Sequence, residues 1–201
     1  MSLIDKAALD TTCFSGKKRK ARTLLREVFA TGKGLFTGVE AKITLLPAPV
    51  GSGIVFQRMD LPESPQFRAH LNLVQGTPRC TIIGNDLFSV QTVEHLLAAL
   101  AAYQIDNVRI QLTGPEVPIF DGSSLMFIQM LRDSGCVEQE EEKLIYELTG
   151  PISCVKNDAL LIALPSEEWK ISYTLHYPHD SCIGTQFYSA TVTQDFFERD
   201  I

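Results

Sequence analysis

An acidic and a basic side chain stand side by side in Val90-Gln91-Thr92-Val93-Glu94-His95-Leu96-Leu97-Ala98-Ala99-Leu100. Around them Val93, Leu96, Leu97, Leu100 and Ala101 recur at helical spacing, so the segment reads as a helix with one apolar stripe. Steps of ~100° per residue put Glu94 on the flank of that stripe and His95 nearly opposite it, both in the first turn. The other side carries Ala98, Ala99 and Ala102 rather than charges, which predicts a helix covered on both sides. A carboxylate and an imidazole in such surroundings are costly unless they are paired or bound to a cation. The unpaired N–H groups and positive dipole end of a first turn favour the carboxylate there. Neutral imidazole is a good zinc ligand, and a carboxylate beside it can act as a base toward water. The same dipeptide also fits a capping Glu next to a hydrogen-bonded core His, and the residues alone leave both accounts open.

The elements that must position this pair are legible on either side of it. Leu24 to Ala30, Ala41 to Leu46, Gly53 to Arg58 and Phe67 to Val74 read as strands. The turn Thr31-Gly32-Lys33-Gly34-Leu35-Phe36-Thr37-Gly38 lies between the first two; its glycines read as turn formers, with Lys33 able to approach an anion. Cys80 to Ile83 and Leu87 to Val90 flank Gly84-Asn85-Asp86 as a hairpin that leads into the helix. Val108, Ile110 and Leu112 alternate as a further strand. A second helix opens at Asp121-Gly122-Ser123, buries Phe127, Ile128 and Leu131, and stops at Gly135. Asp121 fits either a helix cap or a conditioner of the site.

Residues 138–142 (Glu-Gln-Glu-Glu-Glu) read as an acidic linker, after which strands resume at 144–148, 159–164, 169–177 and 185–192. Gln194 to Ile201 reads as two turns of helix. Strands with two apolar helices make a two-layer α+β unit over 21–137. Residues 143–201 hold strands with little helix to cover them, and we read them as the start of a second α+β unit cut short. Residues 1–20 read as a flexible lead-in containing the basic run Lys17-Lys18-Arg19-Lys20-Ala21-Arg22. A net charge of -6 argues against nucleic acid or an anionic membrane as partner. Five widely spaced cysteines suggest no disulfide framework, and no apolar run resembles a signal peptide or membrane span, so a cytoplasmic protein is expected. His176, His179 and Cys182 are spaced three apart, but a strand running into Pro178 would not aim them at one point, and they read as surface residues.

Arg22-Thr23-Leu24, the 31–38 turn, Leu46-Pro47-Ala48-Pro49 and Thr92-Val93-Glu94-His95-Leu96-Leu97-Ala98-Ala99-Leu100 form an ordered set of motifs. Ile105-Asp106-Asn107 and Gly114-Pro115-Glu116-Val117-Pro118-Ile119-Phe120-Asp121-Gly122-Ser123 continue it. In that order they resemble the UDP-3-O-acyl-N-acetylglucosamine deacetylases, zinc enzymes of lipid A synthesis. The resemblance implies two α+β units with helices sandwiched between sheets. It implies hydrolysis of the N-acetyl group of a UDP-linked, 3-O-acylated N-acetylglucosamine, with release of acetate. His95 matches a zinc ligand, and Glu94 matches the general base on the attacking water. Cys80 and Thr81, in Thr77-Pro78-Arg79-Cys80-Thr81, and Leu35, in the Gly-rich turn, match segments beside the family's active site and are candidates for substrate contact. Cys80 is equally well accounted for as a small buried hydrophobe.

Two departures stand out. Where the family carries a His near the metal in the Gly-rich turn, this chain has Phe36, which can neither ligate nor hydrogen-bond. The family's other ligands belong to a His-x-x-x-Asp motif and its general acid is a later His, and no residue of this chain matches either. The chain by itself is therefore expected to be inactive. The alternative is a non-catalytic truncated paralogue serving as a binding or interaction module.

Overall fold

The computed structural model describes residues 14–76, 79–157, 159–177 and 182–201. The chain folds as two compact units. One comprises Lys20–Glu142 with Gln194–Ile201, and the other comprises Lys143–Thr193 with the start of the chain through Arg19. The fold class is α+β.

Along the chain the strands are β1 (Phe14–Leu24), β2 (Val28–Lys33), β3 (Glu40–Pro47), β4 (Ile54–Arg58), β5 (Gln66–Arg68), β6 (Val74–Gly76), β7 (Ile82–Gly84) and β8 (Ser89–Val90). Helix α1 (Glu94–Ala102), strand β9 (Val108–Leu112) and helix α2 (Leu125–Ser134) follow. The larger unit is built on a five-stranded sheet in the order β2-β3-β9-β4-β5, in which β4 and β9 are parallel and the other neighbours antiparallel. Alternation decides its faces: Ala41, Ile43 and Leu45 of β3 are buried while Glu40 and Lys42 are exposed, as a pleat with one wet side requires. Val108, Ile110 and Leu112 of β9 and Phe56 of β4 continue the buried face. Leu96, Ala99 and Leu100 of α1, with Phe127, Ile128, Met130 and Leu131 of α2, complete the core.

The buried side of α1 runs through Val93, Leu96, Ala99, Leu100 and Tyr103. Ala99 is therefore inside and Ala101 exposed, the reverse of the stripe expected from the sequence. Ala98 and Ala102 on the far side are half-buried, so the cover on that face is partial among the described residues. The 67–74 strand is likewise not continuous. It breaks after β5 into a 3-10 turn, Leu71–Leu73, because the His70 imidazole accepts from Asn72 N–H at 3.2 Å and turns the backbone.

Two charge runs take unexpected conformations. The acidic 138–142 segment lies inside β10 (Cys136–Leu148), which pairs with β1, so it is strand rather than linker. Residues 14–20 of the supposed lead-in belong to β1, and residues 1–13 lie outside the described ones. The two runs are complementary: Lys20 Nζ sits 3.6 Å from Glu140 Oε2 and donates to the Glu140 carbonyl at 3.1 Å, and Lys17 Nζ sits 2.7 Å from Glu147 Oε1. A two-stranded ribbon with both faces wet needs no apolar alternation, and cross-strand opposite charges suit it. Gln139 is the uncharged exception in the run; its side chain accepts from Asn107 Nδ2 at 2.7 Å and donates to the Ala48 carbonyl at 2.9 Å. The strand expected over 24–30 is also split, β1 ending at Leu24 and β2 starting at Val28 around exposed Leu25, Arg26 and Glu27.

The smaller unit contains two antiparallel hairpins, β11 (Ile152–Lys156) with β12 (Ala159–Ala163) and β13 (Lys170–His176) with β14 (Thr185–Thr191). Leu161, Trp169, Tyr173 and Phe187 stand exposed there. The final helix α3 (Gln194–Asp200), assigned on sequence to the second unit, packs in the larger one: Phe197 is buried, and Glu198 pairs with Arg132 of α2. No helix among the described residues is long and apolar enough to cross a membrane.

Candidate active site

Strand β8 ends at Val90 and α1 begins at Glu94, so three residues carry the chain from sheet to helix. Thr92, the middle one, has φ 57°, a left-handed conformation that costs a β-branched residue about 1–3 kcal/mol. It is 1% exposed. The helix has no side-chain N-cap; instead its first turn carries Glu94, whose charge suits the positive end of the dipole. Glu94 and His95 are both half-buried. Glu94 Oε2 accepts from Thr81 N–H at 3.0 Å, and the His95 carbonyl accepts from Ser124 Oγ, just ahead of α2, at 3.2 Å. The second Glu94 oxygen and both His95 ring nitrogens take part in no hydrogen bond with a described residue. One bond therefore holds the Glu94 carboxylate and one the His95 main chain. Among the described residues, no three His, Cys, Asp or Glu side chains gather where an ion could sit.

Thr92, two residues before Glu94, is bonded to a residue that sequence reasoning did not single out. Glu116 is 1% exposed, yet its carboxylate is saturated with donors. Phe36 N–H reaches Oε1 and Oε2 at 3.1 and 3.2 Å. Thr37 gives its N–H at 2.8 Å and its hydroxyl at 2.7 Å to Oε2, and the Thr92 hydroxyl donates to Oε1 at 2.7 Å. Burial opposes the charge, but the Thr37, Thr92 and Phe36 hydrogen bonds outweigh it and hold the carboxyl below the ordinary carboxylate range. The one available signal was a charge inside the stiff run Gly114-Pro115-Glu116-Val117-Pro118. The same cluster explains Gly34: a Cβ there would run into the Glu116 carboxylate and lie 2.6 Å from Thr37 Oγ1. The 114–118 segment is fixed in turn to the approach of α1, since Gln91 N–H donates to Pro115 O at 3.0 Å and Val117 N–H to Gln91 O at 3.1 Å.

The model of one protein family, UDP-3-O-acyl N-acetylglycosamine deacetylase, matches residues 21–201. The chain belongs to that deacetylase family. Curated relatives named UDP-3-O-acyl-N-acetylglucosamine deacetylase include that of Chlamydia pneumoniae, 42% identical over 92% of this chain and 66% of its own length. That of Chlamydia muridarum is 43% identical over 91% of this chain and 64% of its own. The chain thus spans slightly under two thirds of the length of these deacetylases.

Other candidate residues of this deacetylase-family chain are dispersed around the pair. Cys80 is buried, and Thr81, next to it, supplies the N–H that holds Glu94. Leu35 and Phe36 are exposed at the tip of the Gly-rich turn, Phe36 contributing its backbone to Glu116 and its ring to the surface. Lys33 is exposed. Asp121 is exposed and bonded to Ser123 through N–H (3.0 Å) and Oγ (2.8 Å), which lowers its carboxyl; it shapes the turn before α2. It also borders a surface groove of about 510 Å³ lined by Phe120, Leu125, Met126 and Gln129, a group that includes neither Glu94 nor His95. His176 Nδ1 lies 2.7 Å from Thr185 Oγ1 within its hairpin and Cys182 is exposed, while His179 lies outside the described residues.

Three further motifs, those around Arg22, Ala48 and Asp106, have structural roles in the larger unit. Arg22 N–H donates to Asp106 Oδ2 at 2.9 Å, and Thr23 Oγ donates to Asn107 O at 2.6 Å and accepts from Ala48 N–H at 3.0 Å. Together they lock β1, the end of β3 and the start of β9.

Proposed function

We propose that the protein hydrolyses the N-acetyl group of UDP-3-O-acyl-N-acetylglucosamine to release acetate, the committed step of lipid A synthesis, in the cytoplasm. The observation that carries this reading is the adjacent, half-buried Glu94 and His95 in the first turn of α1, with donor atoms left open. Glu94 is the general base. Its Oε2 is tied to Thr81 N–H, so the second oxygen is presented for a water proton without the entropy of a mobile side chain. Free imidazole nitrogens and a carboxylate suit zinc, and His95 would hold it as one ligand. Bound zinc supplies a Lewis acid for the acetamide carbonyl. One imidazole does not fill a tetrahedral site, and the family resemblance assigns the other ligands to a His-x-x-x-Asp motif in the second unit. The His176-Tyr177-Pro178-His179-Asp180 run has that spacing but reads as surface residues where a strand runs into Pro178. Thr81, Cys80 and Leu35 would contact substrate from the β7 approach and the Gly-rich turn.

Acetate release from that substrate tests the reading, with the 201-residue chain and a chain extended to its relatives' length assayed side by side. The extended chain should release acetate, lose the activity to a zinc chelator and regain it with added zinc. Phe36 and the single imidazole favour one rival reading, a binding or interaction module. That reading predicts no acetate from either chain.

A further inference from the structure

Glu116 is a buried charge that the hydrolytic chemistry does not use. We propose that it is a positioning residue for the Glu94–His95 pair: its carboxylate holds the Thr92 hydroxyl, and with it the left-handed turn that delivers the first turn of α1. The inference rests on the reading of Glu94 and His95 as the hydrolytic site.

Three observations carry it. Thr92 occupies a conformation that its own side chain disfavours, so something outside the segment must keep it there; the Gln91 main chain is tied to Pro115 and Val117, and the 2.7 Å bond to Glu116 Oε1 is the contact made by Thr92's own side chain. Only Val93 separates Thr92 from Glu94, so relaxation at φ 57° would swing the start of the helix with no slack to absorb it. Finally, Glu116 is anchored independently of Thr92. Phe36 and Thr37 bind it from the Gly-rich turn, and its own main chain pairs with Gln91. Turn, loop and helix start are thereby tied to one carboxylate, and a neutral amide in its place would set an N–H₂ against at least one of those donors.

The Thr81 amide reports the outcome, because it is bound to Glu94 Oε2. Its hydrogen exchange would be measured in the 201-residue chain, with the Glu94→Ala variant showing how fast it exchanges once that bond is gone. Thr92→Ala removes the hydroxyl that Glu116 holds, and Thr92→Ser keeps it. We expect Thr81 exchange to rise about tenfold in Thr92→Ala and in Glu116→Gln, while Thr92→Ser stays near wild type and the Ile43 and Ile110 amides in the sheet are unaffected. If Thr92→Ala leaves Thr81 as protected as wild type, the proposal is overturned, whatever Glu116→Gln does to folding. A role confined to the Gly-rich turn would speed exchange at Thr37 in Glu116→Gln and leave Thr81 unchanged, and that result overturns it too. These readings do not depend on turnover, so a failed acetate assay would remove the hydrolytic reading without touching them.

Discussion

Gly34 shows how tightly single atoms are constrained around the pair. Its missing Cβ is the space that the Glu116 carboxylate and the Thr37 hydroxyl occupy. A methyl group there must push a buried, fully bonded anion out of place, so Gly34→Ala should destabilise the chain by about 1–3 kcal/mol. Urea unfolding of the two proteins checks this; equal midpoints would mean that the cluster yields at little cost. Glu94 and His95 differ from Glu116 in kind. Their significance is local and readable, an acid and an imidazole adjacent in an apolar helical run. That of Glu116 depends on donors about 80 residues away in sequence at Phe36 and Thr37, which no local pattern discloses.

Among the elements, α3 is held by a small charged cluster. The Tyr103 hydroxyl lies buried near Glu198 and Arg132 without hydrogen-bond geometry to either, while Glu198 accepts from Gln194 Nε2 at 2.8 Å and pairs with Arg132. The neighbouring Tyr103 hydroxyl, then Gln194 and Arg132, hold the Glu198 carboxyl down at about 2, and burial first, then Glu198, pushes Tyr103 up to about 12. A carboxyl lowered in the folded state stabilises it fully above its ordinary value near 4.5 and loses that contribution as pH falls toward about 2. Docking of α3 should therefore weaken across that window, seen as loss of dispersion in its amide NMR signals, and Glu198→Gln should flatten the change. Undiminished docking at pH 2 in the wild type would contradict it. The elements legible in the sequence were β3, β4, β9 and the two longer helices, each with one wet and one dry face, together with β12, β13 and β14, whose apolar and β-branched content marks them as strands although they are largely exposed. The charged stretches of the β1–β10 ribbon, residues 16–20 and 138–142, were not, because with most of their side chains in water they carry no periodicity until each strand is set against the other. Strand β11, five residues ending in Lys156, was also missed, although its exposed partner β12 was read as a strand.

For the whole molecule, the larger unit has the core of a folded domain, with its sheet and two helices sealed around Phe56, Ile110 and Phe127. The smaller unit consists mainly of hairpins whose apolar side chains are exposed. A net charge of -6 disfavours a polyanion gathered by bulk attraction as ligand. Under the proposed function, Glu94 is the base of a zinc-assisted amide hydrolysis. The most direct measurement is the rate of acetate release by Glu94→Ala against wild type in the chain extended to its relatives' length, with bound zinc determined on the same samples. We expect a fall of about 10²–10⁴-fold in turnover with zinc largely retained. Turnover within a few-fold of wild type at equal zinc content would contradict it.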